Sequence, residues 1–227
     1  MNNANLLRKV PLFSELSDRA LQQIASKCVT RRVRRNTMIV AEQEEGSTLF
    51  LIVRGEVKVS HIAPDGREVI LSILREGDFF GEMALLDGKT RSASVVAIED
   101  SELMSLRRSD FLNILNEHPS IAVALLRELA GRLRRCDEKI ASLTLQDAVG
   151  RVASTLVHLA EQSGRSLGPT MVIPRIPLQR DMANMAGTAR ETISRTLKFF
   201  EAQGDIKRVG RRIFIHDYAK FRKKYAS

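Results

Sequence analysis

Pro119-Ser-Ile-Ala-Val-Ala-Leu-Leu-Arg-Glu-Leu-Ala-Gly-Arg-Leu-Arg-Arg-Cys-Asp-Glu-Lys-Ile-Ala-Ser-Leu-Thr-Leu145 reads as one long helix. Ala122, Leu126, Leu129, Leu133, Cys136, Ile140 and Leu143 recur at alternating intervals of four and three residues. That is a heptad seam, which calls for a second helix against it. The flanks carry Arg127, Glu128, Arg132, Arg134, Arg135, Asp137, Glu138 and Lys139. A helix packed on the chain's own body also shows an apolar stripe. The strict rhythm, with little of a core helix's wider apolar face, favours a two-fold dimer helix. The chain before it looks all-β, and the chain after it looks helical and basic. The helix is therefore expected to join two domains and two subunits.

The chain has 227 residues, long enough for two modest domains with real cores. No apolar run is long enough to span a bilayer, and the start, Met1-Asn-Asn-Ala-Asn, lacks a signal-peptide pattern. Cys28 and Cys136 are too few and too scattered for a disulfide framework, a zinc site or an iron–sulfur cluster. His61, His118, His158 and His216 are scattered, and nothing marks one as a haem ligand. A soluble, cytoplasmic protein without metal, haem or membrane partner is the expectation. The net charge is +9, unevenly placed. Residues 1–146 hold 21 Lys and Arg against 20 Asp and Glu, whereas residues 147–227 hold 15 against 7. This asymmetry suggests a polyanion partner for the last third, with a merely solvated basic surface as the alternative on charge alone. No Gly-x-Ser-x-Gly, His-Glu-x-x-His or P-loop is present, which argues against an enzyme.

Working outward from the helix, Leu6–Phe13 and Ser17–Cys28 read as short helices, the second capped by Ser17-Asp18. The basic cluster Arg31 to Arg35 reads as a solvated strand edge. From Thr37 to Leu106 short β-branched runs alternate with turns: Thr48–Val53, Val57–Ile62, Glu68–Leu74, Val95–Ile98 and Glu102–Leu106. Pro64-Asp65-Gly66 is a turn with a mechanism, since Pro fixes φ and Gly tolerates positive φ. This spacing indicates a small antiparallel barrel or jelly roll.

Within it lies Phe79-Phe-Gly-Glu-Met-Ala-Leu-Leu-Asp-Gly-Lys-Thr-Arg-Ser-Ala-Ser94. Gly81 should open a short helical turn whose first N–H groups are unpaired. Met83 stands beside Glu82, and Arg91-Ser92 returns to the same neighbourhood. Arg offers a planar fork to a phosphate, Ser a hydroxyl. Glu82 only accepts at neutral pH, which suits a ribose hydroxyl. On these residues alone a nucleotide pocket and a plain Glu–Arg ion pair both remain open.

Gly81-Glu82, a loop, then Arg91-Ser92-Ala93 resembles the phosphate-binding cassette of cyclic-nucleotide-binding domains. Gly46, Gly55 and Gly66 fall where that β-roll turns, and the long helix is similar to the dimer helix of the catabolite activator/FNR (CRP/FNR) family of bacterial transcription regulators. The resemblance covers nearly the whole chain. It implies an α+β chain: a cyclic-nucleotide-binding β-roll (1–118), a dimerisation helix and hinge (119–146), and a winged helix-turn-helix (147–227). It implies that Gly81, Glu82, Arg91 and Ser92 hold the ribose and cyclic phosphate. The base side departs from the family: a Thr-Ser pair meets adenine in the cyclic-AMP activator, and Cys136 and Asp137 stand at the matching positions. Cys136 also reads as a small interface hydrophobe. Asp137 accepts the amino group of adenine or both N–H groups of a guanine edge. Arg134-x-x-Asp137 resembles a short Arg/Asp motif of cyclic di-GMP receptors, and equally reads as a surface ion pair. Cyclic AMP, cyclic GMP and cyclic di-GMP all stand as candidate effectors.

In the last third, Asp147–Glu161 is a helix after a hinge at Leu145–Asp147. Leu178–Ala186 and Thr188–Phe200, broken by Gly187, make a helix-turn-helix. In its second helix Ile193, Leu197 and Phe200 face inward, and Arg190, Glu191, Ser194 and Arg195 face outward, as a recognition helix requires. Arg takes guanine O6 and N7, and Glu accepts from cytosine N4. Arg190-Glu-Thr-x-x-Arg195 resembles the family's recognition motif and implies a TGTGA-like half-site. Gln179, Arg180, Thr188 and Lys198 are the expected phosphate contacts. Leu178 departs from a Thr common in relatives, which removes a cap. Asp205–Ile215 is a hairpin resembling a wing, with Lys207, Arg208, Arg211 and Arg212 along the DNA backbone. The tail, Tyr218–Ser227, reads as a basic helix. The expectation is a homodimeric, ligand-controlled regulator of transcription that binds double-stranded DNA and meets RNA polymerase. The alternatives are the same regulator with an inhibitory ligand or none, or a nucleotide-binding module acting on protein partners.

Overall fold

A computed structural model describes residues 3–226. Met1 and Asn2, part of the leader reading, and Ser227, the end of the tail helix, lie outside the described residues. The chain forms two compact units, Met1–Arg132 and Leu133–Ser227.

The first unit opens with α1 (Asn3–Arg8), a 3-10 turn (Pro11–Phe13) and α2 (Asp18–Lys27). The expected helix Leu6–Phe13 is thus broken, because Pro11 has no N–H to continue it. Ser17 caps α2, its Oγ accepting from Ala20 N at 3.3 Å. Eight strands follow: β1 (Val29–Val33), β2 (Met38–Val40), β3 (Thr48–Arg54), β4 (Glu56–Ile62), β5 (Glu68–Arg75), β6 (Phe79–Phe80), and, after α3 (Glu82–Asp87), β7 (Ser94–Ala97) and β8 (Ser101–Arg107). They pair antiparallel in two four-stranded sheets, β1-β8-β3-β6 and β2-β7-β4-β5. Arg31 and Arg32 lie within edge strand β1 itself, and the Arg31 guanidinium sits 4.8 Å from the centre of the Phe50 ring.

Strand β3 explains its own unbroken apolar run. Leu49 and Leu51 pack with α1, α2, α3 and α4 (Arg108–Glu117) through Leu7, Phe13, Ile24, Leu85 and Phe111. Phe50 and Ile52 pack on the other face with Val40, Val57, Phe80, Val95 and Leu103. A strand buried on both faces loses the usual alternation. The long helix α5 runs from Pro119 to Leu145. Its first turns bury Ile121 and Leu125 in the first core. That is a second apolar stripe, wider than the seam alone predicts. The seam is open: Leu126, Leu133 and Ile140 are 65%, 64% and 63% exposed.

In the second unit α5 ends at Leu145 and α6 (Ala148–Ser163) starts on Asp147, whose Oδ1 accepts from Gly150 N at 2.8 Å. Then come β9 (Arg165–Leu167), β10 (Thr170–Ile173), α7 (Gln179–Ala186), α8 (Arg190–Ala202), β11 (Ile206–Val209), β12 (Arg212–Ile215) and α9 (Tyr218–Tyr225). The sheet order is β11-β12-β10-β9, with the short β9 at one edge. Tyr225 ties α9 to the body: its ring lies 4.7 Å from that of Phe200, and its hydroxyl donates to Asp205 Oδ2 at 2.7 Å.

Candidate functional site

The β-roll builds a cation into a glycine cradle. Gly81, at φ +87°, turns the chain from β6 into α3. A Cβ there would lie 2.5 Å from Arg91 Nη1, and one on Gly46 would lie 2.9 Å from Arg91 Nε. The space is kept for the guanidinium, which donates from Nη1 to Gly81 O and from Nη2 to Thr48 O, each at 2.8 Å. Arg91 is buried. Burial pushes its pKa down, and the charges of Glu82 and Glu44 oppose this. The main chain of Arg91 is zipped to the facing loop, its N–H donating to Glu44 O at 2.8 Å and its carbonyl accepting from Gln43 N at 2.9 Å. Met83 and Ser92 stand exposed beside this cradle, with Ser92 Oγ 3.6 Å from Met83 Sδ. The five residues expected to form the cassette, Gly81, Glu82, Met83, Arg91 and Ser92, therefore come together.

The plain Glu82–Arg91 ion pair, the alternative to a nucleotide pocket, does not form. Glu82 is 2% exposed, and its Oε1 accepts from Arg132 Nη1 at 3.0 Å. Arg132 also donates from Nη2 to Phe79 O at 2.8 Å and from Nε to Glu128 Oε1 at 3.1 Å, with its guanidinium 4.7 Å from the centre of the Phe79 ring. Arg91 is already bound by two carbonyls, which leaves the carboxylate to the helix. The other carboxylate oxygen, Oε2, is buried without a hydrogen-bond partner. A buried acceptor left unpaired costs about 1–3 kcal/mol. Sequence reasoning missed Arg132 among the arginines of its flank. The available signal was its spacing: it falls seven residues after Leu125 and shares that buried face.

Arg134, Cys136 and Asp137 stand exposed on the part of α5 that belongs to the second unit. No ion pair joins Arg134 to Asp137 among the described residues. Cys136 is a free thiol.

The helix-turn-helix is α7, Gly187 and α8. Gly187 adopts φ +59° and ψ 45°, and a Cβ there would lie 2.8 Å from Leu143 Cδ2. Leu178 precedes α7 without any side-chain cap. On α8, Ile193, Thr196, Leu197 and Phe200 are buried, while Arg190, Glu191, Arg195 and Lys198 are exposed and Ser194 is half-buried. Arg180 is exposed, and Gln179 and Thr188 are half-buried. On the hairpin Lys207 and Arg212 are exposed. Arg208 and Arg211, expected along the DNA backbone, each have a partner within the protein. Arg208 Nη2 lies 2.5 Å from Glu201 Oε2, and Arg211 donates to Ile176 O from Nε at 3.0 Å. Arg151, another residue unnoticed in the sequence, donates to Ala186 O at 3.1 Å and Gln146 O at 3.0 Å. It ties the end of α5 to the turn of the helix-turn-helix.

A β-roll with a caged cation, followed by a helix-turn-helix, defines the class of ligand-sensing DNA-binding regulators. Residues 30–118 match the cyclic nucleotide-binding domain family, and residues 150–224 match the Crp-like helix-turn-helix domain family. The chain is 32% identical over 212 residues to the CRP-like cAMP-activated global transcriptional regulator of Mycobacterium tuberculosis, covering 93% of this chain and 95% of that protein. It is 36% identical over 197 residues to the Cyclic AMP receptor protein of Thermus thermophilus, covering 87% of this chain and 88% of that one. The structure of FixK2 from Bradyrhizobium japonicum shares the fold, with a TM-score of 0.77, 24% identity, and coverage of 88% of this chain and 98% of that one. This chain belongs to the CRP/FNR family of transcription regulators. Among the described residues no helix is long and apolar enough to cross a membrane.

Proposed function

We propose that the protein is a homodimeric, sequence-specific transcription regulator of the cytoplasm, switched by cyclic AMP. The observation that carries the ligand reading is the buried, partnerless Oε2 of Glu82 close in sequence and space to the caged cation of Arg91. A ribose hydroxyl would donate to that oxygen, and a cyclic phosphate would take the N–H groups of Arg91 that the two carbonyls leave over, with Ser92 adding its hydroxyl. The two relatives named for cyclic AMP support that nucleotide over a guanine one. Dimerisation rests on the open seam of α5, which a second copy would cover. Ligand bound in the arrangement of the helices that fits it would shift the population toward that arrangement. The recognition helices would then lie about 34 Å apart, one DNA turn, on a pseudo-palindrome with TGTGA-like halves. Arg190, Glu191 and Arg195 would read bases. Arg180, Lys198, Lys207 and Arg212 would touch phosphates, with Gln179, Thr188 and Ser194 at the rim. RNA polymerase is the expected partner of the DNA-bound dimer.

Calorimetry with cyclic AMP, cyclic GMP and cyclic di-GMP, with and without a TGTGA-palindrome duplex, tests this. Cyclic AMP is expected to bind and to tighten the duplex. Binding of a guanine ligand instead would replace cyclic AMP as the effector. DNA binding with no response to any of the three would leave the β-roll unliganded or differently liganded.

A further inference from the structure

Helix α5 carries two neighbouring faces that meet at Arg132. On one, Ile121 and Leu125 are buried against the β-roll, and Arg132 reaches the same body through Glu82 and Phe79 O. On the other, Leu126, Leu133 and Ile140 are exposed. Placing these three at heptad position a, and Leu129, Cys136 and Leu143 at d, puts Leu125, Arg132 and Lys139 at g and Ala130, Asp137 and Thr144 at e. In a parallel two-stranded coil, each g residue faces the e residue five positions later on the partner helix. The facing pairs are then Leu125 with Ala130, Arg132 with Asp137, and Lys139 with Thr144. Only the middle pair joins opposite charges. It falls on the g side, where the β-roll of the same subunit presents Glu82.

We propose that Asp137 of the partner subunit forms an ion pair with Arg132, so that one guanidinium is shared between the pocket of one subunit and the dimer helix of the other. The inference rests on the dimer reading above. Arg132 already spends Nε, Nη1 and Nη2 hydrogens on Glu128, Glu82 and Phe79 O, and the fork has N–H groups beyond these. Three carboxylates would then surround one cation and compete for it. Ribose hydroxyls donating to Glu82 satisfy that carboxylate and lessen its claim on Arg132, which strengthens the bond to the partner. Ligand binding and dimer contact are thereby coupled, and the coupling acts in both directions. In this account Asp137 does not read the base: it ties the occupied pocket across the two-fold axis.

The test is sedimentation equilibrium of the full chain together with cyclic AMP and cyclic GMP calorimetry. D137N is expected to weaken the dimer by roughly two- to thirtyfold, from two symmetry-related pairs, without changing the ratio of the two nucleotide affinities. D137R should weaken it further, since two cations would then face each other. The exchanged pair R132E/D137R should recover dimerisation but not cyclic AMP affinity, because the introduced carboxylate would face Glu82. Circular dichroism checks that each variant is folded. A D137N dimer as tight as wild type, with an altered nucleotide ratio, makes Asp137 a base reader and overturns the pairing. Failure of the exchanged pair to recover dimerisation overturns it also. A wild-type chain that sediments as a monomer would bring down the dimer reading, and this pair with it.

Discussion

Replacing Arg91 tests the ligand site most directly. The side chain is buried and its fork spans Gly81 O and Thr48 O at 2.8 Å each. R91A removes the cation from a bound phosphate, a charge-assisted contact of about 1.5–3 kcal/mol. That corresponds to roughly ten- to a hundredfold weaker cyclic AMP binding. It also leaves two carbonyls without their donor, at about 1–3 kcal/mol each where water cannot reach them. Relief of the buried cation, whose cost shows in its lowered pKa, offsets part of this, so the net loss of stability should be about 1–3 kcal/mol. R91K keeps the charge but not the planar fork, so it can serve only one carbonyl at a time and should lose affinity by an intermediate factor. Calorimetry gives the affinity and thermal melts give the stability. R91A that melts lower yet binds cyclic AMP as tightly as wild type would make Arg91 a brace between β3 and the turn at Gly81, and the phosphate reading would be wrong.

G81A should lose both affinity and stability, because φ +87° costs a Cβ-bearing residue about 1–2 kcal/mol and the new methyl would lie 2.5 Å from Arg91 Nη1; unchanged calorimetry and melting would contradict the cradle. R190A should relax base choice at one operator position by about 1–3 kcal/mol, whereas K207A should weaken all DNA alike and lower the salt slope by about 1. R208A should leave that slope unchanged, since Glu201 holds the guanidinium; filter binding over a salt series decides each case. Asp78 gives a pH prediction. Burial raises its carboxyl pKa, outweighing the Arg75 N–H it accepts and the nearby Arg132. The folded chain therefore binds this proton more tightly than the unfolded chain, and the group's contribution to stability falls as pH rises from the ordinary carboxylate value through the raised one. D78N should flatten that fall in urea melts taken upward in pH from the ordinary carboxylate range, and a steeper slope in the variant would refute it.

The sequence announced most of the architecture because the devices that build it are local. Pro64-Asp65-Gly66, the β-branched runs and the break at Gly187 each specify backbone shape within a few residues. The cassette was legible for the same reason: Gly81 and Glu82 lie close in the chain to Arg91 and Ser92. What escaped was long-range pairing. Glu82 could be matched to Arg91 by proximity in sequence, but its partner is Arg132, fifty residues away, and an Arg-rich flank hides which arginine turns inward. The wing shows the same limit. Arg208 and Arg211 read as free cations until Glu201 and the Ile176 carbonyl are brought beside them. The second apolar stripe of α5 was masked because Ile121 and Leu125 sit next to a seam of stronger periodicity.

The link between α5 and the helix-turn-helix bears on how the reading head can be moved to another sensor. Arg151 grips the carbonyls of Gln146 and Ala186, Gln146 Oε1 accepts from Ser142 at 2.6 Å and Ser154 at 2.8 Å, and Leu143 Cδ2 lies 2.8 Å from where a Cβ on Gly187 would be. A fusion spliced at Asp147 would discard Ser142, Leu143 and Gln146, and with them the abutment on which the turn before the recognition helix rests. A fusion spliced at Leu133 carries that abutment along. The portable reading head therefore begins inside the long helix, and an exchange of sensors has to be made in helical phase, at whole turns of α5.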